Sequence, residues 1–203
     1  MPHLSGKQRR LIREMWKGNN LDSHPLFDCY RNDGYFAINN CLRYNILTPR
    51  LRAIVNTMID TIMGLPRLQN QITVYRAVGF DYDFVVGSSY MEKGFMSTSY
   101  EESIARGLGT KILEIKLPPS LPFAFLEFES EILLPPRSKF IITKIQESGE
   151  ILMDFDGFDG FDGFDPITHQ VNQPEIPNSD TMDDNTYLNA IEHIYNLNQY
   201  DRE

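Results

Sequence analysis

The 203-residue sequence has only two cysteines and no apolar run near the roughly 18 residues needed to cross a bilayer. Cys29 and Cys41 lie in one stretch with helical spacing. A helix rises about 1.5 Å per residue, so roughly 18 Å would separate them, too far for a disulfide. No Cys and His cluster has metal-ligand spacing. We therefore expect reduced cysteines, no bound metal and no contact with a membrane.

The N-terminus also lacks the apolar core of a secretory signal peptide. Residues 1–7 are Met-Pro-His-Leu-Ser-Gly-Lys, and no apolar run follows them. We therefore expect a cytoplasmic protein, or one that a virion or a separate translocator delivers into a host cytoplasm.

Acidic residues outnumber basic ones, which gives a net charge of −9, and the charge is unevenly distributed along the chain. Residues 1–75 contain 10 Lys and Arg against 5 Asp and Glu, whereas residues 150–203 contain 1 against 13. Such an acidic tail would compete with nucleic acid for the basic surface, which argues against a nucleic-acid partner. We interpret the tail as solubilising. The alternative is that it covers a basic cleft as an autoinhibitor.

Hydrophobic periodicity changes along the chain from helical spacing to the alternation of strands. This change predicts an α+β domain, with helices packed on a mainly antiparallel sheet. The predicted helices are Gln8–Trp16, Leu26–Tyr44 and Pro49–Met63. The predicted strands are Ile72–Val78, Phe95–Ser99, Ile112–Leu117, Glu131–Leu134 and Phe140–Ile145.

The predicted domain covers residues 1–150, and an acidic low-complexity tail covers residues 151–203. From about Asp154 the tail repeats Phe-Asp-Gly, which predicts a linker. A calcium loop is the alternative, but the EF-hand order of oxygen ligands and its closing Glu are missing. Thr186–Leu197 has the spacing of a short amphipathic helix.

Three separated features carry candidate chemistry. Arg76 lies in the middle of a strand, where an arginine is usually a solvated charge or half of an ion pair. The run 97–99 is Ser-Thr-Ser, and Glu127, Glu129 and Glu131 share one strand face by period-two alternation. Paired carboxylates suit a reaction that develops positive charge on a sugar, and an arginine fork suits a phosphate. The set therefore indicates an anionic, sugar-bearing substrate.

The order Arg, Ser-Thr-Ser, Glu-x-Glu resembles the mono-ADP-ribosyltransferases of the binary-toxin-like exoenzyme family. Two further blocks extend the resemblance. Residues 30–43, Tyr-Arg-Asn-Asp-Gly-Tyr-Phe-Ala-Ile-Asn-Asn-Cys-Leu-Arg, look like the family's N-terminal helix. Residues 131–140, Glu-Ile-Leu-Leu-Pro-Pro-Arg-Ser-Lys-Phe, look like its post-catalytic strand and turn. The resemblance covers about residues 27–145.

The resemblance implies a split antiparallel β-sandwich with NAD, the co-substrate, in the cleft between its sheets. Arg76 would bind an NAD phosphate, and Ser97 would position the catalytic glutamate. Relatives usually place a Phe that stacks on nicotinamide where this chain has Leu108. The other residues implied to shape the NAD site are Thr98, Ser99, Tyr30, Tyr35 and Asn39.

The resemblance also implies the catalytic roles. Glu131 would stabilise the ribosyl oxocarbenium as nicotinamide leaves, and Glu129 would engage an arginine acceptor on a protein, as in toxins and effectors. Actin and other nucleotide-binding proteins are candidate targets. The loop before Glu129 is shorter than in relatives, with Phe125 or Phe128 as its aromatic residue. This shortening keeps an NAD glycohydrolase as an alternative, and a non-catalytic NAD- or ADP-ribose-binding interaction module is the third interpretation.

Overall fold

Helices form the first part of the computed structural model, which describes residues 17–79, 83–126 and 130–159. A short 3₁₀ turn, Lys17–Asn19, precedes helix α1, Pro25–Cys29. A π-helical turn, Tyr30–Gly34, joins it to α2, Tyr35–Arg43. Helix α3, Pro49–Gly64, starts with Pro49 behind a Thr48 side-chain cap.

Strands form the rest, with one helix inserted among them. The strands are β1 Ile72–Val78, β2 Ser89–Glu92, β3 Met96–Ser99, β4 Lys111–Leu117, β5 Ala124–Leu126, β6 Glu131–Leu134, β7 Ser138–Ile145 and β8 Ile151–Phe158. Helix α4, Glu102–Leu108, lies between β3 and β4.

The strands form one sheet in the order β2-β7-β8-β4-β1-β3-β6-β5, and β4 with β8 is its parallel pair. The sheet narrows between β1 and β3. These strands pair at Tyr75 and Ser99 alone, whereas β1 and β4 pair along the whole of β1. The narrowing divides the sheet into a five-stranded half and a three-stranded half. The structure therefore confirms the α+β class with N-terminal helices.

Two hydrophobic cores hold these layers together. One core lies between the two sheet halves, with Val74 and Ile115 from one half and Ile132 and Leu134 from the other. The second lies between the helices and the three-stranded half, where helix residues such as Met58 meet strand β6. Strand β6 is buried on both faces, which fixes the position of its first residue, Glu131.

The five predicted strands and the predicted helix Pro49–Met63 are present, with ends that differ by at most two residues. The predicted helix Leu26–Tyr44 is present as three successive elements, which are α1, the π-helical turn and α2. The structure adds β2, β5, β8 and α4. The predicted linker from Asp154 is wrong at its start, because Ile151–Phe158 pairs with both β7 and β4. The domain boundary at residue 150 is therefore too early. Phe155 and Phe158 pack against the core, so the first Phe-Asp-Gly unit is part of strand β8.

The remaining predictions on the helices and cysteines have simple outcomes. Cys29 is exposed, Cys41 is buried, and both are free thiols. No helix in the described part of the chain is long and apolar enough to cross a membrane. The predicted helices Gln8–Trp16 and Thr186–Leu197 lie outside the described residues, as do residues 127–129 with Glu127, Phe128 and Glu129.

Candidate active site

A cleft of about 580 Å³ opens where the helices meet the narrow part of the sheet. Its volume is within the range of about 300–1,000 Å³ that is typical of ligand sites. All the sequence-predicted site residues that the structure describes line it. They are Tyr30, Tyr35, Asn39, Arg76, Ser97, Thr98, Ser99, Leu108 and Glu131.

One wall of the cleft is a stripe of residues four apart on the helical segment. Arg31, Tyr35, Asn39 and Arg43 all line the cleft. Residues four apart share a helix face. The π-helical turn, in which the Tyr35 N–H donates to the Tyr30 carbonyl, lies within this stripe. Such turns are frequent at functional sites.

Asn39 connects the helical wall to the sheet. Its Nδ2 donates to the Tyr30 hydroxyl at 3.0 Å and to the Phe95 carbonyl at 3.3 Å. Its Oδ1 accepts from the Phe95 N–H at 2.8 Å. A Cβ at Gly94 would lie 2.7 Å from that Oδ1, so only glycine allows the contact. Asn39 thus holds the segment that enters β3, in addition to lining the cleft.

Tyr30 is a neutral phenol whose pKa is affected by the carboxylate of Glu131. Its ring packs edge-on against Phe95 at 5.5 Å. Burial, and then the negative charge of Glu131, raise the pKa of Tyr30 well above its ordinary value. Tyr30 therefore keeps its proton at neutral pH and acts as a hydrogen-bonding group rather than a base.

Arg76 lies where β1 and β3 separate. Its Nη1 donates to the Ser97 carbonyl at 2.8 Å, so a side chain joins the two strands just beyond their backbone pairing. Its Nη2 lies 3.5 Å from Glu92 Oε2, and the side chain is 17% exposed. Its Nε is buried and has no hydrogen-bond partner among the described residues. A cationic group with an unused buried donor favours an anionic ligand.

Glu131 lies opposite Ser99 in the pairing of β3 with β6, and the predicted positioning of Glu131 by Ser97 stays a prediction. The antiparallel register pairs Ser99 with Glu131 and Ser97 with Leu133. Ser97 is exposed in the cleft, and its carbonyl holds Arg76. Glu131 is 5% exposed. The residue directly opposite Glu131 is therefore the third member of the Ser-Thr-Ser run, and Ser97 lies two residues away on the same face of β3.

A hydrogen-bonded turn precedes Glu131. Ser130 has φ of +50°, a left-handed conformation that is unusual for a residue with a side chain. Its carbonyl accepts from the Ser99 hydroxyl and from the Tyr100 N–H, both at 3.3 Å. Its hydroxyl donates to Glu101 Oε1 at 3.2 Å, and the Glu101 N–H donates to the Ser99 hydroxyl at 3.0 Å. The end of β3 therefore fixes the residue just before Glu131.

The remaining predicted residues have distinct positions. Thr98 donates its hydroxyl to the Ile132 carbonyl at 2.7 Å, so it fastens β3 to β6. Tyr35 is 49% exposed at the start of α2, and Leu108 is 79% exposed at the end of α4. These two apolar groups therefore form the open side of the cleft. Glu129, the predicted acceptor-binding residue, lies outside the described residues.

Arg43 and Glu92 are charged residues at the site that were not predicted. Arg43 lines the cleft and forms an ion pair with Glu92, with Nε to Oε1 at 3.0 Å. Arg43 is four residues after Asn39, and that helical spacing could have placed it on the same wall. The sequence offers little indication of Glu92, because a carboxylate on a short strand is usually solvated.

Among residues 17–79, 83–126 and 130–159, no group of three or more His, Cys, Asp or Glu could hold a metal ion.

A family model identifies the class of protein to which this fold and cleft belong. The model of the ADP-ribosyltransferase exoenzyme family matches residues 22–154, which is more than half of the chain. The chain therefore belongs to the ADP-ribosyltransferase exoenzyme family. The buried Nε of Arg76 fits the family's anionic co-substrate, NAD.

Solved structures of the same fold include toxins and exoenzymes. The C3 exoenzyme of Clostridium limosum has 18% identity and a TM-score of 0.62, over 74% of this chain and 94% of that chain. C3stau2 from S. aureus with NAD has 18% identity and a TM-score of 0.55, over 63% and 82%. The ADP-ribosyltransferase Vis in complex with agmatine has 16% identity and a TM-score of 0.56, over 81% and 91%. No curated protein sequence matches this chain.

Proposed function

We propose that this protein transfers ADP-ribose from NAD to an arginine side chain of a protein, with Glu131 as the catalytic carboxylate. The main support is the convergence of Arg76, Ser99 and Glu131, from three neighbouring strands, on one cleft. In the reaction, the bond between ribose and nicotinamide breaks, and nicotinamide leaves with the electron pair. A guanidino nitrogen of the acceptor forms the new bond to ribose and loses a proton.

The proposed role of Glu131 is electrostatic. Positive charge develops on the ribose as nicotinamide leaves, and a fixed carboxylate stabilises that charge. Glu131 is 5% exposed and is held by its neighbours on both sides, Ser99 in β3 and Leu126 in β5. Low exposure strengthens its interaction with a charge in the cleft, because water screens it less.

Arg76 has the proposed role of binding an NAD phosphate. Its Nη1 is held by the Ser97 carbonyl, so the guanidinium has a fixed orientation. Its Nε has no partner in the described part of the chain. A phosphate oxygen that accepts from Nε would satisfy this donor and bring the ribose towards Glu131. Ser97, exposed in the cleft, is placed to contact the same ligand.

Support for an arginine acceptor comes from Glu129 and from one structural neighbour. In this family Glu two residues before the catalytic carboxylate accompanies arginine acceptors, as the sequence resemblance implies. Vis has a similar fold at a TM-score of 0.56, and it binds agmatine, a small guanidino compound. We infer that Glu129 engages the acceptor guanidinium of this protein, because a carboxylate is its natural partner.

Three outcomes of one assay separate the candidate functions. Purified full-length protein is incubated with labelled NAD and either a cell lysate or agmatine. Label on protein and on agmatine, reduced about 100-fold or more in Glu131→Ala, supports the transferase. Nicotinamide release without transfer supports an NAD glycohydrolase, and NAD binding without turnover supports a non-catalytic module.

The acceptor role of Glu129 has its own test. Glu129→Gln should lose transfer to agmatine and retain some NAD hydrolysis, because the Glu131 charge is still present. Transfer at the wild-type rate would contradict the role. The exposed carboxylate Glu147 provides the matched control, since Glu147→Gln makes the same change outside the cleft and should leave both activities intact.

A further inference from the structure

A buried carboxylate, Glu92, connects the edge strand β2 to two arginines of the cleft wall, Arg43 and Arg76. Glu92 is 3% exposed. Arg43 donates a hydrogen bond to each of its carboxylate oxygens, from Nε to Oε1 at 3.0 Å and from Nη2 to Oε2 at 3.2 Å. Arg76 Nη2 lies 3.5 Å from Oε2. Strand β2 is at the end of the sheet and β1 is in its middle, so these contacts exist because the sheet curls round.

The remaining acceptor capacity of Glu92 is also used. The Gly94 N–H donates to Oε1 at 2.9 Å, and the Tyr90 hydroxyl donates to Oε2 at 3.4 Å. A buried carboxylate with this many donors is held in one orientation. Burial lowers the pKa of Arg43 and the negative charge of Glu92 raises it, and the net direction is upward. Arg43 therefore remains charged beside the cleft.

The charges of Glu92, Arg43 and Arg76 leave a net positive charge that is available to a ligand. One carboxylate faces two guanidinium groups, so this cluster of three side chains has a net positive charge. Both arginines line the cleft, and the Arg76 Nε is still without a partner in the described residues. Without Glu92 the two guanidinium groups would repel each other, and each would lose its fixed orientation.

We propose that Glu92 is a positioning residue for NAD binding, which holds Arg43 and Arg76 in the orientation that receives the phosphates of NAD. This inference rests on the proposed role of Arg76. Glu92 acts through the two arginines and does not touch the reacting atoms. Its loss should therefore weaken NAD binding far more than it slows the chemical step at saturating NAD.

The test is the dissociation constant for NAD together with kcat for nicotinamide release, in Glu92→Gln and Glu92→Asp. Gln keeps the shape but lacks the charge, and its amide would oppose a guanidinium donor. Asp keeps the charge but is one methylene shorter. We expect the dissociation constant to rise about tenfold in Glu92→Gln and less in Glu92→Asp, with kcat within about threefold of wild type.

A stability control separates positioning from general destabilisation. Met153 is fully buried in the core between the sheet halves and does not line the cleft. Met153→Ala should lower the unfolding temperature without changing the affinity for NAD. The inference is overturned if Met153→Ala weakens NAD binding as much as Glu92→Gln does. It is also overturned if Glu92→Gln folds and binds NAD as wild type does.

Arg76→Lys distinguishes a failure of this inference from a failure of the proposed function. Lysine keeps the charge but lacks the Nε donor and the planar fork. Weaker NAD binding in Arg76→Lys, with unchanged binding in Glu92→Gln, would reject the positioning role of Glu92 alone. Unchanged NAD binding in both variants would reject the phosphate-binding role of Arg76 as well.

Discussion

Ser99 and Glu131 face each other across β3 and β6, at the point where the two halves of the sheet separate. On its other side Ser99 pairs with Tyr75 of β1, through the single residue pair that joins the halves. The Ser99 hydroxyl donates to the Ser130 carbonyl and accepts from the Glu101 N–H. One small side chain therefore connects the division of the sheet to the residue just before the proposed catalytic carboxylate.

Ser99→Ala should lower kcat for nicotinamide release about tenfold and change NAD affinity little, because it loosens the turn that orients Glu131. Two hydrogen bonds are lost, at roughly 1 kcal/mol each, so the free energy of unfolding should also fall. Ser97→Ala is the matched control. Ser97 is exposed, lines the cleft and forms no side-chain hydrogen bond to that turn among the described residues, so its effect should be on NAD affinity. The reverse assignment of effects would support Ser97, as the resemblance implies, as the residue that positions Glu131.

Ser130 provides a test of backbone strain before the catalytic strand. At φ of +50° a side chain costs about 1 kcal/mol relative to glycine. Ser130→Ala keeps that cost and loses the hydrogen bond to Glu101, so it should destabilise the protein. Ser130→Gly loses the same bond but relieves the strain. Urea unfolding should show the Gly variant more stable than the Ala variant by about 1 kcal/mol. Equal stabilities would indicate an unstrained turn.

The separation of interacting residues along the sequence decides which contacts the sequence could predict. Arg76, Glu131 and the helical block could be placed because each lies in a regular strand or helix. The pair of Arg43 and Glu92 could not, since the partners are 49 residues apart and meet because the sheet curls. Strand β8 was missed because Asp and Gly are rare in strands. Its Phe155 is nevertheless partly buried, with its ring centroid 5.7 Å from that of Phe140, and this tertiary contact outweighs local preference.

Glu150 predicts a pH dependence of stability at the end of the sheet. Hydrogen bonds from Ser148 and then from Arg106 lower the pKa of Glu150 below its ordinary value of 4.5. A carboxylate with a depressed folded-state pKa stabilises the fold above its unfolded pKa. That contribution disappears as the pH falls through its folded-state pKa. The difference in free energy of unfolding between wild type and Glu150→Gln should therefore shrink as pH falls from about 7 to about 3.

Urea unfolding at several pH values measures this difference. Glu147 is an exposed carboxylate in the same turn, and Glu147→Gln is the control. Its free energy of unfolding should equal that of wild type at every pH. A difference for Glu150→Gln that stays constant with pH would contradict the stabilisation of the Glu150 carboxylate by these hydrogen bonds. Arg106 also donates to Glu102 in α4, with Nε to Oε1 at 2.7 Å. Because Arg106 lies in α4, its hydrogen bond to Glu150 connects this helix to the turn before β8.

Truncation at two nearby positions tests the corrected domain boundary. A chain that ends at Asp159 keeps the whole of β8, whereas one that ends at Met153 loses the packing of Phe155 and Phe158. Loss of two such side chains costs several kcal/mol, a large part of a typical stability of about 5–15 kcal/mol. The longer truncated protein should unfold cooperatively and cleave NAD, and the shorter one should do neither. Equal behaviour of the two would remove β8 from the required core.

The chain that ends at Asp159 also tests whether the acidic tail inhibits the cleft. Residues 160–203 contain 9 Asp and Glu against 1 Arg, and the cleft is lined by Arg31, Arg43 and Arg76. A tail that competes with NAD for these cations would raise the KM of the full-length protein. Truncation should then lower KM for NAD, and the difference should narrow as salt screens the competing charges. The same KM in both proteins at low salt would show that the tail does not occupy the cleft.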